Sequence, residues 1–423
     1  MAGDIAKLHT WKWRRTTIGL FVLALLAGLV PAADATPSTV PAQDPFYSYA
    51  GKPALRTIAP GTVLEHRSVE IAFEGNATPI AAEQLLYRTT DQLGRPSVTV
   101  TTVIVPASAS LVPNIVGYLS FYDGLASQCD PSYTLAGGDT GDSTYQQEAD
   151  EEELLINWYL SQGDIVTVPD FEGTGLHWMA GRESGYNALD AIRATEAYLA
   201  LGRDTKVGLS GYSGGSVAAD WASELAPAYA PEVNLVGVAE GGIPANYVNH
   251  FAYINGTDEY SAAIPGELLG LSRAYGIDLG RYLSPLGRQA VADVGSGCIA
   301  SKFGTYPGLT IADIMKPAYA DLAHVAPFDK MLREQTMGTA TTHPRVPLFM
   351  GIGNTDGTGD GAMVAADVKA LAAKYCREGV AVLYQEYQGA DHISAAALFE
   401  PQTGPYLQAR FAGLPPVDNC ATL

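Results

Sequence analysis

The sequence predicts a doubly wound α/β fold, in which helices cover both faces of a mostly parallel β-sheet. Short runs rich in β-branched residues alternate with longer stretches of helical apolar spacing, a pattern typical of consecutive βα units. The alternation stops only between residues 247 and 342, where helical fragments replace the strand signals. The predicted strands are 97–107, 114–124, 164–173, 206–215, 234–242, 346–354 and 381–389, and the predicted helices are 145–162, 184–201, 213–226 and 361–378.

Composition and charge narrow the class of protein. The chain has 423 residues, of which 47% are hydrophobic and 17% charged, which indicates a globular protein with a large core. The formal net charge of −20 argues against nucleic acid as a partner, since phosphates are bound by basic surfaces. Any contact with a lipid interface should therefore be apolar and transient, and we expect a monomer.

Residues 1–35 have the pattern of a secretory signal peptide. Four basic residues precede an uncharged apolar run over 16–33, and the run ends at Ala33-Asp34-Ala35, a small-x-small cleavage pattern. A membrane anchor is the alternative, but Gly19, Gly28 and Pro31 interrupt the run. We therefore expect a secreted protein whose leader is removed, by an export route that the sequence leaves open.

The cysteine count fits an oxidising compartment. The four cysteines are Cys129, Cys298, Cys376 and Cys420, and an even number in a secreted chain indicates two disulfides. Three pairings are possible on the count alone. No CxxC or Cys/His spacing supports a metal site, so we expect neither metal nor cofactor.

A strand, a tight turn and a helix surround the motif G-x-S-x-G. Its five residues are Gly211, Tyr212, Ser213, Gly214 and Gly215. A nucleophilic serine at such an elbow occupies a strained turn, and side chains at the flanking glycines would crowd the neighbouring strand and helix. The motif in this context predicts an α/β-hydrolase fold with Ser213 as its nucleophile.

A serine hydroxyl needs a base, and chain order in this fold is serine, then acid, then histidine. Of the seven histidines, only His392 follows the final predicted strand. Asp356 directly follows the strand 346–354 and is the preferred acid, whereas Asp360 lies further out, could cap the next helix, and remains the alternative. The segment 356–367 also approximates a calcium loop, but a strand precedes it where a helix is required.

Two backbone amides should bind the oxyanion of the tetrahedral intermediate. One is the amide after the nucleophile, at Gly214. The second should come from the turn after strand 114–124, where Tyr122 and Asp123 are both candidates.

Several landmarks occur together along the chain, and with them it resembles the secretory lipase family of fungal lipase A-type and actinobacterial enzymes. The landmarks are DPFY (44–47), YDG (122–124), GYSGG (211–215), GNTDGTGD (353–360) and DH (391–392). The resemblance implies that the backbone of Asp123 completes the oxyanion hole with Gly214. It also implies that Cys129 pairs with Cys298 and Cys376 with Cys420.

The resemblance implies a division of the chain and an activity. Residues 36–246 and 343–423 would form the hydrolase core, and residues 247–342 a helical cap or lid over the active site. The expected reaction is hydrolysis of carboxylic esters, acylglycerols among them, through an acyl-enzyme and without a cofactor. The alternatives are a serine peptidase or acyltransferase on the same fold and, more distantly, a non-catalytic binding module.

Overall fold

A nine-stranded sheet, in the order β1-β2-β3-β5-β4-β6-β7-β8-β9, organises the chain in the computed structural model, which describes residues 39–73, 76–107 and 112–423. The predicted signal peptide, residues 1–35, lies outside the described residues. The strands are β1 (Val63–Phe73), β2 (Asn76–Thr90), β3 (Pro96–Ile104), β4 (Ile115–Leu119), β5 (Ile165–Pro169), β6 (Val207–Tyr212), β7 (Leu235–Gly241), β8 (Leu348–Asn354) and β9 (Val382–Gln388).

Helices flank the sheet and fill the segment between β7 and β8. They are α1 (Pro131–Thr134), α2 (Ser143–Ser161), α3 (Gly181–Tyr198), α4 (Gly214–Tyr229), α5 (Tyr247–Ile254), α6 (Ala263–Tyr275), α7 (Pro285–Val294), α8 (Ile311–Ile314), α9 (Ala326–Gln335), α10 (Ala365–Arg377) and α11 (His392–Phe411). No helix in the described ranges is long and apolar enough to span a membrane.

The predicted α/β fold is confirmed, and all seven predicted strands are present as β3 to β9. The two strands that the sequence did not indicate, β1 and β2, pair antiparallel at the edge of the sheet. β1 reads VLEHRSVEIAF and is exposed at several of its charged positions. β1 lies at the edge of the sheet and has a solvent-exposed face, so it lacks the continuous apolar run that marks a buried parallel strand. Its sequence therefore does not indicate a strand.

Strands β4 to β9 run parallel and are covered on both faces. Successive residues of a strand point to opposite sides. In β5, Ile165 joins the core that contains α3 and α4, whereas Val166 and Val168 pack with α2 and α11. Both faces of β5 are therefore buried, which explains its apolar run.

The helical segment 247–342 lies where the strand pattern stopped, and it shares a core with the sheet. Two backbone bonds join it to the loop after β4: Leu125 N donates to the Gly297 carbonyl at 3.3 Å, and Ile299 N donates to the Asp123 carbonyl at 3.1 Å. The disulfide between Cys129 and Cys298 closes the same junction. The insertion is thus tied to the loop that follows β4.

Both disulfides implied by the family resemblance are present. Cys129 is bonded to Cys298, and Cys376 at the end of α10 is bonded to Cys420 near the C-terminus. The first disulfide joins the helical segment 247–342 to the loop after β4, and the second fastens the C-terminal segment to α10.

Carboxyl groups accumulate in the core between α4, β7 and α10. Asp220, Glu224 and Glu240 are all buried, and the Tyr375 hydroxyl lies 3.0 Å from both Asp220 oxygens and 2.9 Å from Glu224 Oε1. The Glu240 carboxyl belongs to the same cluster and interacts with the carboxyl groups of Asp220 and Glu224. Burial, together with the charge of Glu224, raises the pKa of Glu240 to about 8.

Glu240 should therefore make the protein less stable as pH rises. Between its unfolded pKa near 4.5 and its folded value near 8, the folded state binds the extra proton, so unfolding becomes easier with increasing pH. We expect Glu240→Gln to raise the melting temperature relative to wild type by a few degrees more at pH 8 than at pH 5, since one pKa unit corresponds to about 1.4 kcal/mol. Calorimetry at both pH values measures this, with the exposed Glu65→Gln as control. An equal difference at the two pH values would contradict the prediction.

Candidate active site

Ser213 stands at a sharp elbow between β6 and α4. Its backbone has φ 49° and ψ −119°, a region that costs a non-glycine residue about 1–3 kcal/mol. A Cβ at Gly211 would lie 2.4 Å from the Gly215 carbonyl oxygen, and one at Gly215 would lie 1.9 Å from the Leu119 carbonyl oxygen. Both positions therefore require glycine, as the motif indicated, and the strained turn holds the serine at the end of the sheet.

His392 begins α11, directly after β9 and its short turn. Its Nε2 lies 2.8 Å from Ser213 Oγ, and its side chain is buried. The Tyr212 hydroxyl donates to the His392 carbonyl at 2.6 Å, and the His392 amide donates to the Asp360 carbonyl at 2.8 Å. These contacts fix the histidine backbone from two sides and aim its ring at the serine.

The carboxylate beside His392 belongs to Asp360. Its Oδ2 lies 2.8 Å from His392 Nδ1, and its Oδ1 accepts from the amides of Ala362 at 3.0 Å and Met363 at 2.6 Å. The residue is completely buried. A carboxylate held by two amides keeps Nδ1 of the imidazole protonated, which leaves the Nε2 lone pair to face the serine hydroxyl.

The expectation that Asp356 fills this position is wrong. Asp356 is exposed and accepts from the amides of Thr358 at 2.7 Å and Gly359 at 2.9 Å, and from the Tyr253 hydroxyl at 3.0 Å. These donors, the Gly359 amide first, lower the pKa of Asp356 below its usual value. Its carboxylate organises its own turn rather than the histidine.

Turn geometry explains the error. Thr355 N donates to the Gly359 carbonyl at 2.7 Å and Gly357 has φ 83°, so residues 355–359 loop outward and return the chain to the sheet at Asp360. The helix-capping role proposed for Asp360 does not occur, because α10 begins at Ala365 and its N-cap is Val364. Distance along the sequence from the strand end was a poor guide in a loop that doubles back.

The loop after β4 brings Asp123 against the start of α4. Asp123 has φ 36°, and a Cβ at Gly214 would lie 1.8 Å from its Oδ1. The same oxygen accepts from Trp178 Nε1 at 2.8 Å, and Glu172 Oε2 accepts from the Gly124 amide at 3.1 Å. The backbone of Asp123 is thus held beside Gly214, whose amide, the first of its helix, has no partner within that helix.

A cavity of about 190 Å³ opens over Ser213 and His392. Its wall is mostly apolar, with side chains from α5, α6, α11 and the loop after β8, and none of the described residues that line it is a lysine or arginine. Burial raises the pKa of Glu148 and Glu152 to about 7 and that of Glu400 to about 8. The acidic residues that line it are Asp123, Glu148, Glu151, Glu152, Glu267 and Glu400.

Sequence reasoning missed several of these residues. Sequence reasoning assigns no role to Glu152, yet it accepts from Ser120 Oγ at 2.6 Å and from the Phe121 amide at 3.0 Å, and so fixes the loop after β4. His250 does not follow the final predicted strand and was therefore not a candidate, but it lines the cavity. Neither role has a local signal, since both depend on contacts between distant segments.

The chain matches the family model for secretory lipases over residues 142–419. A secreted triacylglycerol lipase of Malassezia restricta is 31% identical, over 95% of this chain and 86% of the relative. The chain belongs to the secretory lipase family. Its fold agrees with the crystal structure of Candida antarctica lipase A in its closed state, at a TM-score of 0.81 and 29% identity, covering 92% of this chain and 91% of the other.

This secretory lipase is a carboxylic ester hydrolase of the triacylglycerol-lipase type. A relative described as a probable inactive lipase, from Mycobacterium tuberculosis, is 32% identical over 90% of this chain and 84% of its own length. Activity within the family therefore depends on the residues of the site. In this chain the contacts of His392 with Ser213 and Asp360 are intact.

Gly214→Ala tests whether the close approach of Asp123 matters for turnover. The added methyl group would collide with Asp123 Oδ1 and displace the loop from the start of α4. We expect kcat on a p-nitrophenyl ester to fall by roughly 100-fold, the scale of losing one oxyanion donor, with little change in KM. Gly202→Ala is the matched control, because a Cβ there meets nothing within 4 Å. Wild-type kcat in the Gly214 variant would contradict this arrangement.

Proposed function

We propose that this secretory lipase hydrolyses acylglycerols and related carboxylic esters through an acyl-enzyme on Ser213. The observation that carries the proposal is the continuous contact from Asp360 through His392 to Ser213 Oγ, with 2.8 Å at each step. A serine whose hydroxyl faces the free nitrogen of an oriented imidazole is activated for attack on an acyl carbon.

The proposed reaction proceeds in two halves. His392 Nε2 takes the Ser213 proton as Oγ attacks the carbonyl carbon, and the backbone amides of Asp123 and Gly214 bind the resulting oxyanion. The intermediate collapses, the ester C–O bond breaks, and His392 returns the proton to the departing alcohol. Water then repeats these steps on the acyl-enzyme and releases the carboxylic acid.

The cavity supports a lipid substrate. Its apolar wall, to which the insertion 247–342 contributes, suits an acyl chain, and we assign the insertion the role of a cap over the site. Both disulfides fit an oxidising compartment, in agreement with a secretory family. We further propose that residues 1–35 direct export and are then removed.

Ser213→Ala should abolish ester hydrolysis. Without Oγ no acyl-enzyme forms, so kcat/KM on emulsified triacylglycerol and on p-nitrophenyl esters should fall by at least about 10⁴-fold, with an unchanged melting temperature. A parallel assay with aminoacyl amides separates a lipase from a serine peptidase. Full ester hydrolysis by the alanine variant would remove Ser213 from the mechanism.

Asp360→Asn and Asp356→Asn form a matched pair within one loop. The asparagine at position 360 would place an amide or a neutral oxygen opposite Nδ1 and lose the charge that stabilises the imidazolium, so kcat should fall by about 10⁴-fold. At position 356 the carboxylate is exposed and contacts only its own turn and Tyr253, so activity should stay close to wild type. The opposite ranking of the two variants would restore Asp356 as the acid.

A further inference from the structure

A buried polar pair lies in the wall of the cavity, apart from the residues that contact Ser213. His250 of α5 and Glu267 of α6 are 3% and 1% exposed, and His250 Nε2 lies 2.8 Å from Glu267 Oε1. His250 Nδ1 donates to the Ala362 carbonyl at 3.0 Å. Both ring nitrogens of the histidine are therefore engaged, and the pair cannot rotate freely.

The second carboxyl oxygen of Glu267 is left over. Oε2 is buried and has no hydrogen-bond partner among the described residues, although Glu267 lines the cavity. An unpaired carboxylate oxygen away from bulk water costs as much as a lost hydrogen bond or more. The pair therefore lacks one hydrogen-bond donor on the side of the cavity, opposite Glu267 Oε2.

The charge of the pair indicates what kind of donor would complete it. Burial opposes a charge on His250, but the carboxylate of Glu267 and the hydrogen bond to it raise the pKa of His250 above its usual value. His250 Nδ1 donates its proton to a carbonyl, and the 2.8 Å contact between Nε2 and Glu267 Oε1 holds a second proton, so the pair is neutral overall and a cation would add an uncompensated buried charge. A neutral donor fits better, and an ionised carboxylate would offer no hydrogen to Oε2.

The position of the pair separates the two parts of an ester. The departing alcohol must lie at His392, which returns its proton, and the next residue, Ile393, is 61% exposed at the cavity rim. Glu267, His250 and the neighbouring Ile254 line the buried part of the cavity instead. The acyl chain is the part of the substrate that extends in that direction.

We propose that Glu267, held by His250, forms a polar subsite that accepts a hydrogen bond from a hydroxyl group on the acyl chain of the substrate. The inference rests on the proposed function and narrows its substrate class to esters of hydroxylated acyl chains. A site built to bond a hydroxyl discriminates strongly against the analogue that lacks it, because its acceptor then stays unpaired.

The test compares p-nitrophenyl octanoate with analogues that carry a hydroxyl group at successive carbons from the middle to the end of the chain. We expect wild type to prefer one hydroxylated ester by about 10-fold or more in kcat/KM. Glu267→Leu should reverse that preference, because the leucine side chain makes the subsite apolar in the variant. Since the ratio is taken within each variant, it does not depend on the fraction of folded enzyme.

Three further measurements make the outcome decisive. Ile254→Val, in the same buried part of the cavity, should leave the ratio as in wild type. His250→Leu with Glu267→Leu replaces the whole pair by apolar side chains and should also prefer the plain ester, should the single variant fold poorly. Hydroxyethyl octanoate, compared with ethyl octanoate, places the hydroxyl group on the alcohol side, where Glu267→Leu should change nothing.

The results separate this inference from the proposed function. Equal ratios in wild type and Glu267→Leu, or a wild-type preference for the plain ester at every hydroxyl position, would overturn the subsite while ester hydrolysis itself persists. If Glu267→Leu changes kcat/KM only for the ester with the hydroxyl group on the alcohol side, the assignment of the subsite to the acyl chain is overturned. Loss of the proposed function would instead appear as absent hydrolysis of every ester by wild type.

Discussion

The close approach of α4 to the end of β4 is the constraint on which the site depends. A Cβ at Gly215 would lie 1.9 Å from the Leu119 carbonyl oxygen, so the helix can meet the sheet here only through glycine. That approach forces the chain to reverse within one residue, and Ser213 takes the left-handed backbone that results. The amide of Ser213, bonded to the Gly241 carbonyl at 2.9 Å, ties the turn to β7. The surrounding sheet thus bears the strain of the turn.

The other groups converge on this turn from separate strands. His392 follows β9, Asp360 follows β8, and Asp123 follows β4. In a parallel sheet these carboxyl ends lie along one edge, so residues far apart in the chain become neighbours. Each is then fixed by backbone hydrogen bonds rather than by packing alone, as the amides of Ala362 and Met363 show for Asp360. Such a site needs little reorganisation during turnover.

The sequence predicts the features of the fold and the site that depend on residues close together in the chain. The strand and helix periods, the glycines around Ser213 and the position of His392 after the last strand depend on neighbouring residues, and these predictions hold. The choice between Asp356 and Asp360 depends on how a glycine-rich loop doubles back, which no period encodes. The edge strand β1 was missed because several of its charged positions are exposed, which interrupts its apolar pattern. The pair of His250 and Glu267 joins two helices of the insertion to the loop after β8, and such contacts leave no local pattern.

The bond between Cys129 and Cys298 also has a consequence for where the protein can mature. It joins residues separated by 169 positions and closes the junction between the insertion and the loop that carries Asp123. Cytosolic thiols are kept reduced, so this junction gains its covalent tie only after the chain reaches an oxidising compartment. A chain retained inside the cell would lack the cross-link that fastens this loop. The organisation of this loop thereby depends on the redox state of the compartment in which the chain folds.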